Sequence, residues 1–183
     1  LLFSQEYLRI LSLGGYNLFM KKKVIDTQSK ADRVFLVVVD DTEEMQIALR
    51  YASLRAKKTR GIVALLYVIE SSDQTYWVSV KNIGIEEQRK KAEDLMQDLS
   101  SVVLKWSGTM PVLFIKEGNK KDCLLELIEE EKNISILVLG AATGSEGPGP
   151  LVSELTKKNA GEINIPITIV PGNLSYKKIQ DIS

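Results

Sequence analysis

Val34-Phe-Leu-Val-Val-Val39 is an unbroken apolar run with no polar position on either face, which predicts a strand covered on both sides. It stops at Asp40-Asp41. Thr42 then predicts a helix cap, with Glu43 and Glu44 favourable in the first turn and Met45, Ala48, Leu49 and Ala52 forming an inward stripe that runs on toward Gly61. Ile62 to Ile69 predicts a second buried strand. Glu70 to Gly84 reads as a polar connection carrying Tyr76 and Trp77. A long helix is predicted from Ile85 to about Lys105, with Ala92, Leu95, Met96, Leu99, Val102 and Val103 on one face and dense, solvated charge on the other.

The second half repeats the alternation. Val112 to Ile115 predicts a strand, Asn119 to Lys132 a helix, Ile134 to Leu139 a strand, Pro150 to about Asn159 a helix, and Ile165 to Val170 a fifth strand whose Pro166 suits a strand start or an edge. Five strands alternating with four helices predict an α/β fold, a five-stranded parallel doubly wound sheet with helices on both faces. Ligands of such sheets bind beyond the carboxyl ends of the strands, where the strand order reverses. Asp40-Asp41 lies at one such end. At another, Gly140-Ala-Ala-Thr-Gly144-Ser-Glu-Gly147-Pro-Gly149-Pro150 leads from an apolar run into a helix, an arrangement whose backbone N–H groups and helix dipole suit phosphate. Pro150 fits a first helical position, where its missing N–H is not needed.

Composition narrows the chemistry. At 183 residues and 44% hydrophobic, the chain suits a single core. Lysine plus arginine (24) equals aspartate plus glutamate (24), so no global field favours nucleic acid. Histidine is absent, which removes Ser-His and Cys-His nucleophile pairs and histidine metal sites. Hydrolase chemistry loses its usual base, and no catalyst is expected. The single Cys123 sits in an apolar-periodic segment, which predicts a buried thiol and fits a reducing, cytoplasmic setting.

Three segments are expected. Residues 1–30 read as an N-terminal extension and linker, 31–173 as the domain, and 174–183 as a C-terminal tail. The apolar stretch before Lys21-Lys-Lys23 is interrupted by Glu6, Arg9 and Gly14-Gly15, too short for a stable membrane span and in the wrong order for an export signal. Up to Phe19 it reads either as upstream sequence before a start at Met20 or as a short amphipathic docking segment.

Arg33 to Gly172 resembles the universal stress protein family. The resemblance rests on Val-Val-Val-Asp40, Leu-Leu-Tyr-Val68, Leu-Val-Leu-Gly140, the tail Gly147-Pro-Gly-Pro-Leu-Val-Ser-Glu-Leu155, and Pro166-Ile-Thr-Ile-Val170. In ATP-binding members of that family, an aspartate after the first strand approaches the adenosine, a valine ending the second packs near the base, and the loop reads Gly-x2-Gly-x9-Gly-Ser/Thr. The resemblance therefore implies ATP or another adenine nucleotide at Asp40, Val68, Gly140 with Gly144, and Gly149 with Pro150. Val39, Asp41, Ala141, Ser145, Gly147 and Leu151 flank these positions in the expected site. The loop departs from the family pattern: three residues separate Gly140 from Gly144, four separate Gly144 from Gly149, and Pro150 replaces the Ser or Thr. Thr143, Ser145 and Ser153 remain as donors, while Glu146 places negative charge where a triphosphate would lie.

Each position has a purely structural reading beside the functional one. Asp40-Asp41 makes a strand-end turn and helix cap, the glycines permit positive φ, and Val68 fills the core. A receiver domain shares the sheet and an acidic pair, but the third strand runs Phe114-Ile-Lys-Glu-Gly118 and the fifth ends Ile169-Val-Pro-Gly172, without the aspartate and lysine that chemistry needs. Pro150-Leu151 stands where a P-loop requires Lys-Ser, and a dinucleotide fingerprint is missing after the first strand. The remaining alternative is a nucleotide-free scaffold acting through an unidentified protein partner or a homodimer. The resemblance implies pairing through the last strand, where Ile167 to Val170 would otherwise be an open edge.

Overall fold

Side chains that fill both faces of a sheet make Val34–Val39 strand β1, and all six of its residues are buried. A computed structural model of the chain describes residues 33–70, 78–157, 161 and 163–183. After β1 come α1 (Glu43–Thr59), β2 (Ile62–Ile69), α2 (Val78–Ser107), β3 (Val112–Glu117), α3 (Lys120–Glu130), β4 (Ile134–Ala141), α4 (Pro150–Lys157), β5 (Ile167–Pro171) and α5 (Tyr176–Ile182). The five strands pair in parallel in the order β3-β2-β1-β4-β5. β1 is therefore central, and the order reverses between β1 and β4. This is the α/β sheet that the pattern predicts.

Alternation along each strand distributes its side chains between two helical layers. Phe35, Val37, Val39, Val63 and Leu65 pack with Met45, Ala48, Leu49 and Ala52 of α1 and Met96 and Val103 of α2. The residues between them, such as Leu36 and Leu66, are also fully buried and face the other layer. There α3 packs on β2 and α4 on β4, burying Leu124, Leu127 and Leu155.

Several boundaries differ from the pattern. α2 begins at Val78 rather than Ile85, because an existing helix adds a hydrogen bond per residue without a new nucleus, and that outweighs the cost of about 1 kcal/mol for Gly84 in its interior. β4 continues through Gly140 and Ala141, which pair with Val170 and Pro171 of β5, so the connection opens at Ala142 instead of Gly140. β5 starts at Ile167, not Ile165; Pro166 has no N–H for the ladder, but its carbonyl accepts from the Leu137 N–H at 2.9 Å. The expected extension over residues 1–30, Tyr76, Trp77 and the end of the last helix near Asn159 lie outside the described residues.

Residues 174–183 fold as part of the domain. The Ser175 hydroxyl accepts from the Lys178 N–H to cap α5, and Ile179 is fully buried. Lys58 of α1 donates to the carbonyls of Gln180 and Ser183 at 3.1 and 2.7 Å. The Arg50 guanidinium stacks between Tyr176 and Trp106, with centroid distances of 4.2 and 4.9 Å. α5 is thus a docked element held by α1. Ile179→Ala should destabilise the domain by about 2–5 kcal/mol in urea unfolding, as for other fully buried aliphatic truncations, whereas a loosely attached tail would leave the midpoint unchanged.

Candidate functional site

The corner after β1 is built by three side-chain hydrogen bonds. One carboxylate oxygen of Asp40 accepts from the Thr42 N–H at 3.0 Å and from the Thr42 hydroxyl at 2.5 Å. That hydroxyl accepts in turn from the Met45 N–H at 3.2 Å, which satisfies one of the free donors in the first turn of α1. Asp40 is therefore a structural residue. It is also only half-buried, and it opens onto a cleft.

The cleft, of about 320 Å³, lies beyond the carboxyl ends of β1 and β2. Val39 and Val68, both buried, give it an apolar floor, and Asp40, Asp41 and Glu70 bring carboxylates to it. Gln88 and Lys91 face it from α2 and Lys120 from the start of α3. Lys120 reaches the Glu70 carboxylate at 3.5 Å, an ion pair with a largely exposed glutamate that contributes little to stability. An apolar floor with convergent polar groups, at the lower end of the usual size for ligand sites, can hold one flat apolar group and a polar appendage.

The glycine segment is arranged differently. A β-carbon on Gly140 would fall 2.8 Å from the Met45 nitrogen and still closer to the Glu44 carbonyl, so α1 can lie against β4 only because this residue is glycine. Beyond it, Gly144, Gly147 and Gly149 border open space, with Gly147 and Gly149 at positive φ, as a tight exposed loop requires. Ser145 is exposed in the same loop, Ala141 is buried as a strand residue, and Leu151 is half-buried on α4. The structure thus brings Val39, Asp40, Asp41 and Val68 together around the cleft. Gly140, Ala141, Gly144, Ser145, Gly147, Gly149 and Leu151 are not among the described residues that line it.

Sequence reasoning overlooked the cations and the polar wall. Lys120 had a usable signal: it follows directly on the carboxyl end of β3, where ligands of such sheets gather. Gln88 and Lys91 are three apart and share a helix face, but in the sequence they merge into the charged side of α2. Cys123 is buried, its thiol 3.6 Å from the Glu117 carbonyl, and burial pushes its pKa up, with the Glu126 carboxylate adding to the effect. It remains a protonated thiol and is a poor nucleophile. Among the described residues no acidic, cysteine or histidine cluster is arranged to hold a metal ion, and no helix is long and apolar enough to cross a membrane.

Comparison with known proteins places this geometry among relatives. The family model described as the universal stress protein family matches residues 33–171. The fold is similar to that of the universal stress protein UspA from Lactobacillus plantarum, with 19% identity over 78% of this chain and 99% of that one and a TM-score of 0.65. It is similar also to a universal stress protein family protein from Arabidopsis thaliana with AMP bound (16% identity, 76% and 91% covered, TM-score 0.55). A third is the universal stress protein from Archaeoglobus fulgidus in complex with dAMP (14% identity, 75% and 95% covered, TM-score 0.51). No curated protein sequence matches the chain.

Two measurements separate the roles of these residues. Gly140→Ala should cost about 1–3 kcal/mol or more in denaturant unfolding because α1 must move, while Gly144→Ala, facing open space, should stay within about 0.5 kcal/mol of the parent; equal effects would mean that α1 does not depend on the close approach. Cys123 should react slowly with an aromatic disulfide reagent in the native protein and rapidly in guanidinium, and a fast native reaction would show the thiol to be accessible.

Proposed function

Because the chain belongs to the universal stress protein family, we propose that it is an adenine-nucleotide-binding stress-response or signalling module rather than a catalyst. The observation that carries this reading is the cleft, where the apolar floor of Val39 and Val68 lies beside the Asp40 carboxylate. A purine can stack on such a floor, and an ionised carboxylate accepts hydrogen bonds from sugar hydroxyls. The relatives described with AMP and dAMP support an adenine ligand. The absence of histidine from the whole sequence removes the usual acid–base group, which supports binding over turnover. On this reading the module works in the cytoplasm, and ligand binding biases a surface that another protein reads.

One feature favours a second reading, in which the same scaffold acts by pairing with no nucleotide. β5 is the outer strand of the sheet, and Ile169 on it is 40% exposed. A β-branched edge of this kind is relieved when two copies join. The close packing of α1 also accounts for Gly140 without any ligand.

The readings are separated by mass spectrometry of small molecules released from the purified protein and by thermal shift with adenosine, AMP, ADP and ATP. Nucleotide binding predicts a released adenine compound or a rise in melting temperature. Asp40→Asn, which keeps an acceptor for Thr42 but loses the charge, should weaken binding by about tenfold with little loss of stability. If none of the four compounds binds, the scaffold reading stands. It predicts a dimer in sedimentation that Ile169→Lys converts to monomer.

A further inference from the structure

The helices that meet at Arg50 carry a surplus of positive charge. After Glu44, α1 has Arg50, Arg55, Lys57 and Lys58 and no carboxylate. From Ser100 to Ser107, α2 carries only Lys105, and α5 sets Lys177 and Lys178 against Asp181. In a chain whose formal charge is zero, this makes a basic face. Arg50 joins its three helices. Trp106 of α2 and Tyr176 of α5 cover the two faces of its guanidinium, and its Nε is buried. Among the described residues no carbonyl accepts from that guanidinium and no carboxylate pairs with it. The residue as a whole is half-buried, so the fork keeps an edge at the surface. Tyr176 remains 60% exposed although it stacks on Arg50, and Ile182 on the same helix is exposed as well.

We propose that this face is a docking surface for an acidic segment of another protein, with a glutamate or aspartate of that segment seated on the Arg50 fork and its apolar side chains against Tyr176. A guanidinium already held flat gives up little freedom on binding, and its N–H groups match the two oxygens of a carboxylate. Tryptophan, tyrosine and arginine are also the side chains in which the binding energy of protein interfaces concentrates. A second copy of the chain does not suit the face, because a two-fold contact would set these cations against one another. An anionic lipid surface attracts mobile charge and gains nothing from a fork fixed between two rings. None of these residues is among those lining the cleft, so docking here needs no ligand there.

Nuclear magnetic resonance on the isotope-labelled full chain tests this, with the Arg50 Nε–H and the Trp106 indole N–H as reporters. The probe is a short acetylated, amidated peptide of leucine, alanine and glutamate with its apolar residues on one helical face, and the control replaces each glutamate by glutamine. The glutamate peptide should shift both reporters and bind about tenfold or more tightly than the control, as expected of charge-assisted contacts. Arg50→Lys, which keeps the charge but loses the fork, should remove most of that preference. Because Arg50 also supports α5, the double variant Lys105→Gln, Lys177→Gln leaves the stack in place; it should weaken the glutamate peptide several-fold and reduce the salt dependence of binding. Equal affinity for the two peptides, or shifts that leave Arg50 and Trp106 unmoved, overturns the proposal. So does binding to phosphatidylcholine–phosphatidylserine vesicles without binding to the peptide, which would make this a lipid-facing surface. Self-association in sedimentation that Arg50→Lys abolishes would assign the face to a second copy and overturn it equally.

Discussion

The short turn from Asp40 to Met45 is the constraint on which both the fold and the candidate site depend. A central parallel strand must hand the chain to a helix that lies back across the sheet, and here the handover is fixed by Asp40 accepting from Thr42 and Thr42 accepting from Met45. The direction of α1 then decides how closely its first turn meets β4. Glycine at 140 is the consequence, since no β-carbon fits beside the Glu44 carbonyl. The same turn leaves Asp40 at the carboxyl end of β1 with its side chain at the cleft. One carboxylate thus orients a helix and meets the ligand space.

Dual use of this kind explains why the functional and structural readings of these residues could not be separated by sequence. Asp40 meets the description of a turn residue, which its bonds to Thr42 bear out, and its carboxylate also borders the cleft proposed to take a ligand. Gly140 is different. In the sequence it opens a glycine-rich loop that looks like a phosphate cradle, yet in three dimensions it is a strand residue whose lack of a side chain serves helix packing. A motif glycine can therefore persist without any nucleotide to hold. The match between chain and family is correspondingly firmer in the scaffold than in the loop.

The strands were legible because burial on both faces leaves no polar position in runs such as Val34–Val39 and Ile62–Ile69, and α1 and α3 because Thr42 and Asn119 are strong caps. What escaped depended on partners distant in sequence. The length of β4 is set by its ladder with β5, and the docking of α5 by Lys58, Arg50 and the burial of Ile179. The cleft was half legible: Val39, Asp40, Asp41 and Val68 mark strand ends, whereas Lys91 belongs to a helix face that reads as ordinary solvated charge. Only the packing of α2 over the sheet gives that charge a location.

Gly172 follows β5 directly, and a β-carbon there would fall 2.8 Å from that of Glu44, a tight approach to the turn that confines Gly140 more closely still. The first turn of α1 therefore touches the ends of β4 and β5 while its cap is tied to Asp40 at the cleft. In the sheet β4 alone stands between β1 at the cleft and the outer strand β5, and the first turn of α1 spans the same distance. Asp40 at the cleft and Gly172 at the margin of the sheet thus meet the same turn of one helix.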